Sequence, residues 1–259
     1  MQHLLRESLT EIRNRIEPAS TVSLFLDFDG TLTPLIRNPE KVKLNTPTRN
    51  VLQDILGSRT IALHVISGRS LDDVVARVGL DGVTYAGNHG MEIMGRYVRF
   101  VDPVALSRRD ELMDITDRLR TALFVIRGVQ IEYKRLSTTV HYRKVFEGDI
   151  PAVLSTIEDL VEQYHPHLWL RSGTDSVDIL PSTSWNKGSA VNWINECCGI
   201  PPQYSIYIGD DNTDEDAFRA LPEGITVRVG DAAESAAMFH LNDPVEVFAF
   251  LQWIAYRRN

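Results

Sequence analysis

Val22-Ser23-Leu24-Phe25-Leu26-Asp27-Phe28-Asp29-Gly30-Thr31 is the stretch on which the fold turns. An almost unbroken apolar run leads straight into two carboxylates and a glycine. Continuous rather than alternating apolarity means burial on both faces, as in a parallel sheet covered by helices. Asp27 and Asp29, at i and i+2, continue on one side of the extended chain, and Gly30 allows a sharp turn. A plain strand-ending turn would account for Asp29-Gly30 alone. In open α/β sheets, however, ligands collect at the carboxyl ends of strands, which makes the pair a candidate site.

Similar short runs rich in β-branched residues stand at Ile61–Ile66, Val83–Ala86, Ser205–Ile208 and Ile225–Val229. Amphipathic helical windows alternate with them at Thr48–Leu56, Leu71–Val78, Lys187–Cys197 and Glu215–Leu221, and Val245–Tyr256 follows the last. The pattern predicts a doubly wound α/β fold around a mostly parallel, Rossmann-like sheet. The middle of the chain breaks this rhythm. Helix (Arg109–Ile126), hairpin (Val129–Lys134 and Ser137–Arg143), helix (Ile150–Tyr164) and hairpin (Leu168–Arg171 and Ser176–Leu180) form an α+β layer with its own core. The expected organisation is a core of residues 1–103 and 178–259 with an inserted α+β cap domain of residues 104–177.

The 259 residues are 43% apolar and 24% charged, ordinary for a globular chain with a sizeable core. Acids outnumber bases, 35 to 27, for a net charge of −8. That field disfavours nucleic acid or an anionic membrane as partner, but not a small anion met by a local cation. No stretch approaches 18 apolar residues, and Met1–Glu7 has no signal-like apolar region. Adjacent Cys197 and Cys198 are too close along the chain for an ordinary bridge, so two buried thiols in a reducing cytoplasm are expected; a monomer is expected separately.

Three further motifs carry chemistry. Gly209-Asp210-Asp211-Asn212-Thr213-Asp214-Glu215-Asp216 follows an apolar strand. Thr213 as helix cap and acids in the first helical turn explain part of it. Asp210 and Asp211, packed at the strand end, are left over, and clustered hard oxygens suit Mg²⁺. In Ser67-Gly68-Arg69-Ser70, Ser70 with Asp72 and Asp73 makes the better helix cap, which leaves Ser67 for a ligand. In Trp185-Asn186-Lys187-Gly188-Ser189, Lys187 stands at a helix start that the dipole disfavours for a cation. Lys187 is either solvated or paired with an anion bound at that helix end.

A strand-end D-x-D, a Ser, a Lys and an acidic pair, in that order, resemble the signature of the haloacid dehalogenase superfamily of phosphohydrolases. The resemblance implies Asp27 as nucleophile and Asp29 as general acid and base. It implies Thr31, Ser67, Gly68, Arg69 and Lys187 around the phosphate, and Mg²⁺ held by Asp27, the Asp29 carbonyl and Asp210, with Asp211 and Asp214 as ligands or supports. Only 35 residues separate Thr31 from Ser67, enough for a loop and one crossover helix. The insertion lies instead between Ser67 and Lys187, which favours sugar-phosphate phosphatases over mutases of the β-phosphoglucomutase type.

Gly87-Asn88-His89-Gly90-Met91-Glu92 and the Gly209–Glu215 run are similar to the G-x-H-G-x-E and G-D-D-x-T-D-E signatures of the trehalose-6-phosphate phosphatase family. The resemblance implies a sugar phosphate as partner molecule. It implies substrate contacts from Asn88, His89, Gly90 and Glu92, and from Glu132, Lys134, His141, Arg143 and Asp178 in the cap. Where the family shows Gly-Lys and then Glu, this chain has Gly173-Thr174 and Asp178. A phosphatase for another sugar or glycosyl-acid phosphate therefore stays open, as does a non-catalytic sugar-phosphate sensor. Zinc and serine-hydrolase chemistry have no motif here.

Overall fold

The structure is a computed structural model and describes residues 2–3, 6–36, 42–173, 175–231 and 234–258. In chain order the elements begin with β1 (Gln2–His3), α1 (Arg6–Ile16), β2 (Val22–Leu26), α2 (Thr46–Gly57) and β3 (Ile61–Ile66). They continue with α3 (Leu71–Val78), β4 (Thr84–Gly87), β5 (Glu92–Met94), β6 (Arg99–Val101), α4 (Pro103–Ser107) and α5 (Arg109–Ala122). The insertion goes on through β7 (Gln130–Tyr133), β8 (Thr138–His141), α6 (Ile150–Glu162), β9 (Leu168–Gly173) and β10 (Ser176–Pro181). The chain then returns with α7 (Lys187–Cys198), β11 (Ser205–Gly209), α8 (Asp214–Ala220), β12 (Ile225–Val229), β13 (Phe239–Leu241) and α9 (Pro244–Arg258).

Two compact units result: Met1–Phe100 with Trp185–Asn259, and Val101–Ser184. The expected break between residues 177 and 178 falls inside β10. That strand pairs along its length with β9, and with β8 from Ser176 to Ile179, so the whole strand belongs to the inserted sheet. Thr174, one of the two departures from the family pattern, lies outside the described residues.

The first unit is built on a nine-stranded sheet of order β1-β13-β12-β11-β2-β3-β4-β5-β6, parallel from β1 to β4 and antiparallel between β4 and β5. From β2 the chain winds one way through β3 and β4, and from β11 the other way through β12 and β13. The switch point therefore lies between β2 and β11, and that crevice is where a ligand is expected. One face packs Leu24, Leu26, Leu63, Val65, Ile206 and Ile208 against α1, α2, α3 and α9. The other packs Phe25, Tyr207 and Ala86 against α7 and α8. Local signals set the helix ends. Asn45 accepts from Thr48 N–H at 2.8 Å, Asn186 from Ser189 N–H at 2.9 Å, and Ser70 caps α3 as expected. α7 buries Ala190, Val191, Ile194 and Asn195, so Cys197 and Cys198 at its end point outward. Both thiols are exposed, which corrects the expectation of burial: they fall off the helix face that packs on the sheet.

On the second face a row of rings crosses three adjacent strands. His64 stacks on Phe25 with centroids 4.5 Å apart, and Phe25 on Tyr207 at 6.2 Å. Neither nitrogen of the buried His64 ring has a hydrogen-bond partner among the described residues. Burial pushes its pKa down to about 3 from the ordinary 6.5. The ring is thus neutral when folded and takes a proton only on unfolding, so stability falls as pH drops below 6.5 and the loss levels off below about 3. Urea titrations are expected to show His64 costing about 2 kcal/mol at pH 5 relative to pH 7, a component that His64→Phe removes. An unchanged pH slope in that variant would contradict the assignment.

The second unit is a four-stranded antiparallel sheet of order β7-β8-β10-β9 with α5 and α6 on one face. Ile131, Val140, Val177, Ile179, Leu168 and Leu170 point to those helices. Alternation then puts Glu132, Thr139, His141, Asp178, Trp169 and Arg171 on the opposite face.

Candidate active site

The carboxyl ends of β2 and β11 carry the two acidic motifs. β2 and β11 run parallel in register, and Asp27 N–H donates to the Ile208 carbonyl at 2.9 Å, which fixes the first carboxylate beside the second motif. Gly30 then turns the chain with φ +87°. A Cβ at Gly30 would run into the Asp210 carboxylate, so glycine is required both for the turn and for the close approach of the two loops. Thr31 Oγ1 donates to Asp210 Oδ1 at 3.1 Å and ties the loops together.

Lys187 is the keystone. It is 2% exposed, and its ammonium donates to Asp27 Oδ1 and Asp214 Oδ1, each at 2.7 Å. The side chain is therefore not solvated, despite its place in the first turn of α7. Burial works against its charge, but Asp214 and Asp27 outweigh burial and hold its pKa well above the ordinary lysine value. Asp27 is pushed well up by burial, an effect Lys187 opposes and Asp214 and Asp210 reinforce. Asp210 is pushed up to about 7, by burial first and then by Asp214 and Asp211. Asp214 is raised by burial against the pull of Lys187.

One oxygen each from Asp27, Asp210 and Asp214 lies within 4.8 Å of the others. One lysine does not neutralise the buried Asp27 and Asp214 together with the half-buried Asp210, and after burial the neighbouring acids Asp214 and Asp211 add to the raised affinity of Asp210 for a proton. A hard-oxygen cluster of this kind fits a hard divalent cation. Asp211 is outside the cluster: its Oδ1 accepts from Thr213 N–H and Thr213 Oγ1. Thr213 consequently does not cap α8 with its side chain, contrary to expectation, because that hydroxyl is committed to Asp211. Asp214 has both oxygens engaged, Oδ1 by Lys187 and Tyr207 and Oδ2 by Asp211 N–H.

Around Asp29 the structure differs from the expectation for Arg69. The guanidinium forks onto both Asp29 oxygens, at 2.6 and 2.7 Å, and onto Asp73 at 2.8 Å. Its planar donors match a carboxylate as well as a phosphate, and here the carboxylate has it. Ser67 is buried with its Oγ accepting from Arg69 N–H at 3.2 Å. The Gly87–Gly90 segment is laced to this turn. Asn88 N–H donates to the Arg69 carbonyl and His89 N–H to the Ser67 carbonyl, and the His89 ring lies where a Cβ on Gly68 would sit. Asn88 and His89 both have positive φ, 49° and 58°, a costly conformation of the kind found at ligand loops. Trp185 Nε1 donates to the Gly90 carbonyl at 2.7 Å, and Glu92 is buried at the start of β5.

Asp27, Thr31, Lys187, Asp210 and Asp214 are thus brought together, with Asp29, Ser67, Gly68, Arg69 and Asn88–Glu92 in a second connected group. Glu132, Lys134, His141, Arg143 and Asp178 belong to the other unit. There His141 Nε2 lies 3.5 Å from Glu132, Thr139 Oγ1 donates to Asp178 at 2.5 Å, and Arg143 pairs with Asp175 at 2.9 Å.

Two contributors, Tyr207 and Arg228, escaped sequence reasoning, and a third, Glu215, was read only as an acid favoured by the start of its helix. Tyr207 donates to Asp214 at 2.7 Å, and Arg228 donates to the Asp211 carbonyl at 2.7 Å while pairing with Glu215 at 3.3 Å. Glu215 also accepts from Ser235 Oγ and Ala236 N–H. A signal existed: Arg228 is a charge inside an otherwise apolar strand, which is hard to explain without a buried acidic partner.

Residues 25–242 match the family described as Trehalose-phosphatase. A probable trehalose-phosphate phosphatase G of Arabidopsis thaliana is 33% identical over 89% of this chain and 68% of its own length. A trehalose-phosphate phosphatase of Mycobacterium bovis is 34% identical over 90% of this chain and 61% of its own. Among solved structures, a trehalose-6-phosphate phosphatase related protein superposes with a TM-score of 0.79 at 26% identity, covering 91% of this chain and 97% of that one. Its α/β architecture is the one described above. With the acidic cluster, the buried lysine and the family match in agreement, the chain belongs to the trehalose-phosphatase family of phosphoric monoester hydrolases.

Proposed function

We propose that this chain hydrolyses trehalose 6-phosphate to trehalose and phosphate through an aspartyl-phosphate intermediate, with Mg²⁺ as cofactor. The observation that carries the reading is Lys187 seated between Asp27 and Asp214 beside Asp210, at the switch point of the sheet. Asp27 attacks phosphorus through a carboxylate oxygen while the ester P–O bond breaks, and Asp29 gives its proton to the departing sugar oxygen. Asp29 then removes a proton from the water that attacks the acyl phosphate, releasing phosphate and restoring Asp27. Asp27, Asp210 and the Asp29 carbonyl would hold Mg²⁺, which would supply the positive charge a carboxylate needs to meet a phosphate dianion. Asp214, with both oxygens engaged, supports Lys187 rather than the cation. Thr31, Ser67, the Gly68 backbone and Lys187 hold the phosphoryl oxygens as charge spreads over them. The fork of Arg69 on both Asp29 oxygens holds the carboxylate, the form that takes the proton from water, and one oxygen has to leave Arg69 for Asp29 to carry a proton to the sugar oxygen.

In the same reading Asn88, His89, Gly90 and Glu92 shape the sugar end of the core site. Glu132, Lys134, His141, Arg143 and Asp178 read sugar hydroxyls with charged and amphoteric side chains. The partner is a small sugar phosphate, and the working form is a monomer in the cytoplasm, where the two exposed thiols stay reduced. No helix among the described residues is long and apolar enough to cross a membrane.

Phosphate release from a panel of sugar esters, with Mg²⁺ and with a chelator, tests the proposal. Rapid release from trehalose 6-phosphate that stops on chelation is expected. Fast release from a different glycosyl phosphate and a poor rate on trehalose 6-phosphate would favour the second reading, which Asp178 motivates. No release from any ester would favour a sensor. The same titration predicts a stability effect. Because three clustered carboxylates repel in the cation-free protein, saturating Mg²⁺ is expected to stabilise by about 2.7 kcal/mol at 100 times its Kd. A melting temperature indifferent to Mg²⁺ would argue against the cluster as its site.

A further inference from the structure

The outward face of the inserted sheet carries more than the residues singled out from sequence. Glu132, Thr139, Asp178 and Arg171 stand opposite one another in register across β7, β8, β10 and β9. Arg171 Nη2 lies 3.5 Å from Asp178 Oδ2, and Thr139 holds the other Asp178 oxygen. Two positions before Arg171, on the same face of edge strand β9, stands Trp169, 44% exposed. Its Nε1–H donates to the Pro181 carbonyl at 3.2 Å, which fixes the tilt of the indole. The residues that alternate with it, Leu168 and Leu170, pack toward α5 and α6, so the outward placement of Trp169 follows from the register of β9.

An exposed, hydrogen-bonded indole two positions along the same strand face from a carboxylate–guanidinium pair matches the chemistry of a sugar ring. Vicinal hydroxyls of a pyranose donate to a carboxylate and accept from a guanidinium, and the C–H groups of a sugar face pack on an aromatic plane. A surface ion pair kept only for stability would contribute little here and would not need the ring beside it. We propose that Trp169 and Arg171 form a pyranose-binding subsite on β9. Trp169 is the platform for one face of a sugar ring, and the Arg171–Asp178 pair reads a vicinal diol on it. The subsite rests on the proposed sugar-phosphate phosphatase activity and assigns one ring of a glycoside to this strand.

The test compares two substrates and one product. Kinetics of Trp169→Ala, Trp169→Phe, Arg171→Ala and Arg171→Lys are measured on trehalose 6-phosphate and on p-nitrophenyl phosphate, which has no sugar. Both alanine variants are expected to raise KM for the sugar ester at least tenfold, and by at least tenfold more than for the aryl ester. Trp169→Phe, which keeps a ring, recovers most of the affinity, and Arg171→Lys recovers only part because it lacks the planar fork. Trehalose alone is expected to perturb the tryptophan fluorescence of the wild type, and Trp169→Phe to lose that change. Equal losses on both esters, or an unchanged KM for the sugar ester, overturn the subsite. If the wild type prefers another glycosyl phosphate, the substrate reading fails, and the same variants on that ester decide the subsite on their own.

Discussion

Replacing Asp27 by Asn is expected to leave a folded protein that no longer turns over. The amide has the shape of the carboxylate, and its carbonyl oxygen still accepts from Lys187, so the 2.7 Å contact has a neutral counterpart. What is lost is the anionic oxygen that would bond to phosphorus, for which no neighbour substitutes: Asp210 and Asp214 are tied to Thr31, Lys187 and Tyr207. Steady-state phosphate release should fall by about 10⁴-fold or more, a loss of the size seen when a covalent nucleophile is removed. Stability without metal should hold or rise, because burial and the neighbouring acids already disfavour the Asp27 charge. Urea unfolding and phosphate assays on the same preparation separate the two effects. A variant that keeps measurable steady-state turnover would remove Asp27 as nucleophile.

Lys187→Met should be costly in a different way. The thioether chain fills a similar volume but leaves Asp27 and Asp214 buried without their shared cation. Breaking a buried ion pair from one side typically costs about 3–5 kcal/mol, more than a mesophilic domain loses in most single substitutions. Activity should drop by about 10²–10³-fold as a charge aimed at the phosphoryl oxygens disappears. Mg²⁺ should recover part of the stability and little of the rate, since a cation at Asp27 and Asp210 relieves repulsion without replacing a hydrogen-bond donor at the α7 terminus. A Lys187→Met protein as stable as the wild type without metal would mean that the ammonium is not shared as described.

The sheet strands were legible because buried parallel strands announce themselves by continuous apolarity: Val22–Leu26, Ile61–Ile66 and Ile225–Val229 fall where the pattern put them. α1 was missed because its apolar positions Leu9, Ile12 and Ile16 are diluted by charged neighbours. β13, with three residues, is too short to carry a period. Motif spacing brought Asp27, Lys187, Asp210 and Asp214 to one centre, since strand ends of a doubly wound sheet converge. It could not say which way Arg69 would point, because a guanidinium serves a phosphate and a carboxylate equally well and only the fold decides that Asp29 is within reach. Nor could it foresee that Cys197 and Cys198 end on the open side of α7, which depends on helix phase relative to the sheet.

The direct pairing of β2 with β11 has a consequence for biosynthesis. As the chain emerges from the ribosome, Asp27 precedes β11 by the entire insertion, and the strand position beside it stays empty while that insertion is made. Only when residues 205–209 slot in next to it do the opposing acid and the lysine-bearing helix arrive. The inserted unit, with a hydrophobic centre of its own, is able to collapse in that interval. Synthesis of α7 and β11 is thus the step that completes the acidic centre, and a product terminated before them would lack Lys187 and Asp210 however well the preceding strands had folded.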